Sequence, residues 1–158
     1  MDLRSGHPFW LVKNGLLAAY PPLEADLTCE VVVIGGGITG ALVTYTLVKQ
    51  GVNVVVLDKR DIAWGSTSAS TAMLQYEIDK ELHELTSIVG VPKAVRSYRL
   101  GVEALDALEE VAGEVGAGHE FQRVESIYAT RYKRHLRRLQ SEFAVRQAHG
   151  FKVRYVEQ

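Results

Sequence analysis

VVVIGGGITG, residues 31–40, sets four β-branched residues directly against three glycines, with a fourth glycine three positions on. The apolar run does not alternate with polar residues, so it reads as a central parallel strand covered on both faces. Gly35, Gly37 and Gly40 have the spacing G-x-G-x-x-G between that strand and a helical pattern, and this context separates a fingerprint from a coincidence. Gly35 permits a tight turn out of the strand. Gly37 lacks a Cβ, so an anionic group can come close to the main chain, and Gly40 lets the helix pack tightly on the strand. The helix N-terminus offers unpaired N–H groups and a partial positive charge to such an anion.

Working outward, ITGALVTYTLVKQG (38–51) places Ile38, Ala41, Leu42, Tyr45, Leu47 and Val48 near helical spacing, with Gly51 where a C-terminal cap would stand. VNVVVLDK (52–59) is a second apolar strand. Strand, glycine turn, helix and strand make one βαβ unit over residues 30–58. Such crossovers are right-handed, so the two strands are expected to be parallel and the fold class α/β. Asp58 follows Gly35 by 23 residues and Gly40 by 18, close to the roughly 20 at which a carboxylate meets a dinucleotide's ribose hydroxyls. A carboxylate there also repels a 2′-phosphate. The plainer alternative is a glycine turn that serves packing alone, with Asp58 a strand-end carboxylate.

GSTSASTAML (65–74) places Ser66, Thr67, Ser68, Ser70 and Thr71 shortly after that acid. Hydroxyls and exposed amides at this point suit phosphate oxygens and the polyol chain of a flavin better than a nicotinamide ribose; the alternative is a Ser/Thr-rich surface loop. Helical patterns follow at about 80–89 and 93–115, the second with an apolar stripe of Val95, Tyr98, Val102, Leu105, Leu108 and Val111. GAGHE (116–120) breaks the helix. FQRVESIYATR (121–131) reads as strand, the basic stretch to His149 as helix, and FKVRYVE (151–157) as strand.

The composition is that of a soluble globular chain: 158 residues, 47% hydrophobic and 23% charged. Eighteen basic and nineteen acidic side chains leave no net field to select nucleic acid or anionic membrane. Residues 103–120 hold six acidic and no Lys or Arg side chains, and RYKRHLRR (131–138) holds five basic ones, read as a solvated helix face. Cys29 is alone, so no disulfide within the chain can form. The first 25 residues break their apolar content with Lys13, Pro21 and Pro22, lacking the long apolar core of a signal peptide, and no stretch approaches a membrane span. A cytoplasmic protein is expected. The five histidines show no ligand spacing, and one cysteine excludes a Cys-rich metal site; no metal is expected.

The stretch CEVVVIGGGITGALVTYTLVKQGVNVVVLDKRDIAWGSTSASTAML resembles the amino-terminal FAD-binding segment of the D-amino-acid oxidase-like (DAO) family. The leader PFWLVKNGLLAAYPPLEADLTCE is similar to the start of γ-glutamylputrescine oxidase-like members, in which an aromatic pair and a proline-containing loop precede the first strand. The specific match covers residues 28–78. The resemblance implies a Rossmann-like FAD-binding domain, incomplete here, with the beginning of an α+β substrate domain. The expected divisions are a leader (1–27), the amino-terminal part of the FAD-binding domain (28–120) and the start of the substrate domain (121–158).

Carried onto this sequence, the resemblance implies that amides around Gly37, Ile38 and Thr39 meet the pyrophosphate and that Asp58 holds the adenosine ribose. Lys59 or Arg60 would lie near the adenine, and Ser66 to Met73 would form the loop beside the flavin. Within that loop Ser70, Thr71, Ala72 and Met73 would be closest to the ribityl chain and isoalloxazine. Tyr76 lines the approach to the flavin or packs in a core. The implied activity is oxidation of an amine or amino acid by hydride transfer to FAD, with no catalytic residue identifiable. The segments that close the flavin site in longer members are not in this chain, so it is expected to be a fragment, inactive alone. Oxidation of a C–OH substrate, as in glycerol-3-phosphate dehydrogenases, is an alternative, and a non-catalytic dinucleotide-binding module is another. Two central parallel strands leave apolar edges, so a homo-oligomer is expected if the chain folds alone.

Overall fold

The computed structural model describes residues 6–16 and 18–156. Residues 1–5 and 17 of the leader, and Glu157 of the last expected strand, lie outside them. The chain divides into two compact units, Met1–Met73 and Leu74–Gln158.

The first unit opens with a short helix, α1 (Phe9–Asn14), that starts after Pro8 and stops at Gly15. The proline-containing segment that follows is irregular, since proline has no N–H to give a helix or ladder. The β-branched run forms β1 (Val31–Ile34), and after α2 (Ile38–Lys49) the chain returns as β2 (Val54–Leu57). The strands pair in parallel, Val31 against Val54 through to Ile34 against Leu57. The expected βαβ unit is therefore present in order, type and direction. Its burial differs from the expectation of a strand covered on both faces. Val31 and Val33 are half-buried, whereas Val32 is 50% and Ile34 87% exposed. Among the described residues, α2 is the helix of this unit that packs on both strands, so one face is covered and the alternate side chains meet solvent.

The second unit is built from α3 (Leu82–Val89), α4 (Val91–Glu114) and α5 (Leu136–Ala148). Gly90, at φ +82°, separates α3 from α4, and Pro92 stands in the first turn of α4, where a missing N–H costs nothing. Leu82, Ala94 and Tyr98 form the fully buried core, with Tyr76, Leu85, Val95, Val145 and Phe151 packed around it. The Tyr76 and Phe151 rings stack at 6.0 Å, and Tyr98 meets both in T-shaped contacts. Tyr76 is thus a core residue of this unit. Residues 121–131 and 151–156, expected as strands, form no ladder. Their alternation is real, but strand pairing needs backbone partners, and the contacts here are between side chains: Arg154 with Glu125, and Tyr155 with Phe143.

A polar network that the sequence did not suggest joins α3 to α5. The Glu142 carboxylate, on α5, accepts the Leu82 and His83 N–H groups at 2.9 Å each, capping α3 from another helix. Arg146 bonds Glu142 at 2.6 Å and reaches Glu77 and the Tyr76 hydroxyl. Glu81 is held by Arg138 and by the Tyr128 hydroxyl. Arg138, placed by sequence on a solvated face, is therefore an ion-pair partner. Arg123 likewise answers the acidic run by bridging Asp106 and Glu109 of α4.

Candidate dinucleotide site

The turn between β1 and α2 departs from ordinary backbone at its first residue. Gly35 lies at φ +107°, which side chains rarely tolerate. The close approach comes at Gly40, where an added Cβ would sit 1.9 Å from the Gly35 carbonyl oxygen. That spacing draws the first turn of α2 over the end of β1, so its N-terminal amides face the same corner as the strand end. At Gly37 a Cβ would stand 3.1 Å from the Thr67 hydroxyl. The three glycines thus hold a bare-backbone cradle of the kind a pyrophosphate requires.

Asp58 stands immediately after β2, and parallel pairing brings it beside the turn. Its carboxylate accepts the Gly36 N–H at 2.6 Å through one oxygen and the Arg60 N–H at 2.8 Å through the other. The Gly36 amide, then the Arg60 amide, hold this carboxyl below its usual range against a small opposing effect of burial. Asp58 is therefore ionised, exposed and fixed at the strand ends, where it can accept from vicinal hydroxyls. Gly36, outside the G-x-G-x-x-G positions, is a junction of the site: its carbonyl also accepts the Ala63 N–H at 2.8 Å. The run of three consecutive glycines was its signal.

The hydroxyl-rich segment comes back over the turn as one 3₁₀ turn, Ser66–Ala69. Thr67 accepts the Ile38 N–H at 3.0 Å, so its hydroxyl occupies the position at the α2 N-terminus where an anion oxygen would accept. A phosphate bonded to Ile38 would displace it. Ser68 is buried and donates to the Gly65 carbonyl, a structural role. Ser70 and Thr71 accept from the amides of Ala72 and Met73, which shapes the loop locally. Ala72 sits at φ +55° and Met73 is 79% exposed. Ser66, Lys59, Arg60 and Thr39 are exposed around the same corner. The sequence-predicted residues 35–40, 58–60 and 66–73 therefore lie in one unit, where Asp58 and Thr67 bond the glycine turn and Ser70 to Met73 make local bonds. Sequence reasoning missed Trp10, whose indole N–H donates to the Ser70 carbonyl at 2.8 Å. Its only sequence signal was the aromatic pair in the leader.

In the second unit, Glu81, His83 and Glu84 bring possible ligand atoms within 4.8 Å of one another. Each already has protein partners: Arg138 and Tyr128 on Glu81, Glu142 on His83, and Lys80 and Arg138 on Glu84. The cluster reads as an ion-pair network. No helix among the described residues is long and apolar enough to cross a membrane.

A Bacillus subtilis protein named "Putative Rieske 2Fe-2S iron-sulfur protein YhfW" is 30% identical over 106 residues, 67% of this chain and 21% of that protein. The γ-glutamylputrescine oxidoreductase of Escherichia coli is 29% identical over 86 residues, 54% of this chain and 20% of its own length. The α-glycerophosphate oxidase of Enterococcus casseliflavus is 42% identical over 50 residues, 32% of this chain and 8% of its own. The chain spans about a fifth or less of the length of these curated relatives. No solved structure matches it. The model of the FAD dependent oxidoreductase (DAO) family matches residues 30–158, from the first strand through the second unit, and with it the chain belongs to that FAD-dependent family.

Proposed function

We propose that residues 35–40, 58–60 and 66–73 form the FAD-binding corner of an oxidoreductase that oxidises an amine or amino acid. The observation that carries the reading is the cradle itself: a Gly40 Cβ would lie 1.9 Å from the Gly35 oxygen, and an ionised Asp58 stands beside that turn. The Gly37, Ile38 and Thr39 amides would take the pyrophosphate, with Thr67 yielding its bond to Ile38. Asp58 would accept from the adenosine ribose, with Lys59 and Arg60 toward the adenine. Ser66 to Met73 would line the ribityl chain and ring. FAD, when bound, supplies the hydride acceptor; this chain's residues bind and orient it.

The C–N substrate class is supported by the relation to γ-glutamylputrescine oxidoreductase. A second reading, oxidation of a C–OH group, is favoured by the relation to α-glycerophosphate oxidase, which is more identical over a shorter stretch. Residues 28–120 would belong to the FAD-binding domain and 121–158 to the opening of a substrate domain. Self-association belongs to the same reading, supported by the exposed Val32 and Ile34 on the sheet.

The test is titration of the purified chain with FAD and, separately, NAD, repeated with Asp58→Ala. Saturable FAD binding, weakened about tenfold by loss of a charge-assisted hydrogen bond, is expected. Preference for NAD would overturn the assignment. The two substrate classes separate on anaerobic mixing of the full-length flavoprotein with amines, amino acids or glycerol 3-phosphate, read as bleaching of the flavin band.

A further inference from the structure

We infer that Trp10 is a positioning residue for the cofactor, its indole N–H pinning the loop that carries the ribityl-facing hydroxyls. The inference rests on the flavin reading of residues 66–73 given above. Helix α1 has six residues and buries none of them completely, so it is neither stable alone nor part of a core. It packs instead on the Ser66–Ala69 turn. The tie is specific: Trp10 Nε1 donates to the Ser70 carbonyl at 2.8 Å, across 60 residues of sequence.

Trp10 has a ring and a cation beside it on its own helix. Pro8, before the helix, is buried. The Phe9 ring meets the indole edge-on at 5.1 Å, and the Lys13 ammonium lies 5.3 Å from its centroid. The donor therefore has a defined direction, and it acts where the loop needs restraint. Two residues beyond Ser70, Ala72 sits at φ +55°, a left-handed conformation that a non-glycine residue keeps only when its surroundings impose it. The Ser70 and Thr71 hydroxyls turn the loop through its own amides, but those bonds move with the loop. The Trp10 bond is different, because it ties the loop's main chain to a separate helix. Fixing the Ser70 carbonyl orders Ser70 to Met73 before the cofactor arrives, and such preorganisation lowers the ordering cost of binding.

Trp10→Phe keeps an aromatic ring, though a smaller one, and removes the N–H. FAD should bind about fivefold more weakly, the consequence of losing one neutral hydrogen bond. ADP, which needs only the glycine turn and Asp58, should bind as before. Amide exchange should quicken in residues 66–73 and stay unchanged in 31–34 and 54–57. Unchanged FAD affinity together with unchanged loop exchange would overturn the inference alone, leaving the cofactor site intact. Parallel losses for FAD and ADP, or faster exchange in both strands, would show a general structural role and also overturn it. The exchange measurement uses no cofactor. A wild-type chain that binds no FAD while Trp10→Phe still loosens the loop would show that the Trp10 bond orders the loop for the fold and not for the cofactor, and would overturn the inference while leaving the family assignment in place.

Discussion

At Gly40 the margin for change is smaller than any side chain. A methyl there would sit 1.9 Å from the Gly35 oxygen, which is main chain and cannot rotate away. Gly40→Ala must therefore push α2 off β1. An overpacking cost of about 1–3 kcal/mol is expected, read as a lower urea midpoint at an unchanged slope. An unshifted midpoint would mean that the helix does not rest on the strand in this way. Asp58 differs in kind. It is exposed and bonded to two amides, so its replacement acts on the cofactor and the local turn more than on the unit as a whole. The two substitutions should separate stability from binding within one turn.

Among the elements, α3 depends most on a residue from elsewhere. Its N-terminal amides are satisfied by Glu142, which is itself neutralised by Arg146. Glu142→Ala leaves both amides unanswered and the buried Arg146 guanidinium with Glu77 as its remaining carboxylate, and should cost about 3 kcal/mol, measured by denaturation and by loss of helical circular dichroism. Burial pushes the Glu142 carboxyl up, but the His83 and Leu82 amides and the Arg146 guanidinium outweigh it, leaving the group below its ordinary range. The folded state thus holds this proton less tightly than the unfolded chain. The stabilisation is complete above about pH 4.5 and drains away as pH falls through the lowered folded value. A Glu142→Gln chain, with nothing to protonate, should lose less stability across that window; identical acid profiles would remove Glu142 as the cause.

Over the whole molecule, both units leave large apolar side chains exposed. Beside its core of Leu82, Ala94 and Tyr98 the second bares Val124 and Ile127, and the first leaves Val32 and Ile34 open on a sheet that has, among the described residues, two strands and two free edges. Such an edge pairs readily with another chain. Light scattering on the purified chain is expected to give a mass above the 17.5 kDa of one copy, reduced toward it by Ile34→Lys. A monomer at all concentrations would show that the sheet does not self-associate.

Much of the first unit was determined by sequence alone, because its signals are local. A β-branched run, glycines at fixed offsets and a carboxylate at the next strand end each act within a few residues of themselves. The parallel βαβ order follows from chain handedness. Helices α2 to α4 were legible for the same reason, through apolar spacing and bounding glycines, and α5 as a basic stretch, whereas α1 was not read in the leader. What only tertiary structure decided was pairing at a distance. Trp10 finding Ser70, Thr67 occupying the Ile38 amide and Glu142 capping α3 join residues 29 to 60 apart, and no periodicity encodes such partners. The extended segments 121–131 and 151–156 make the same point from the other side. Alternation prepares a strand, but only a neighbouring backbone makes one, because the ladder's hydrogen bonds belong to two segments at once.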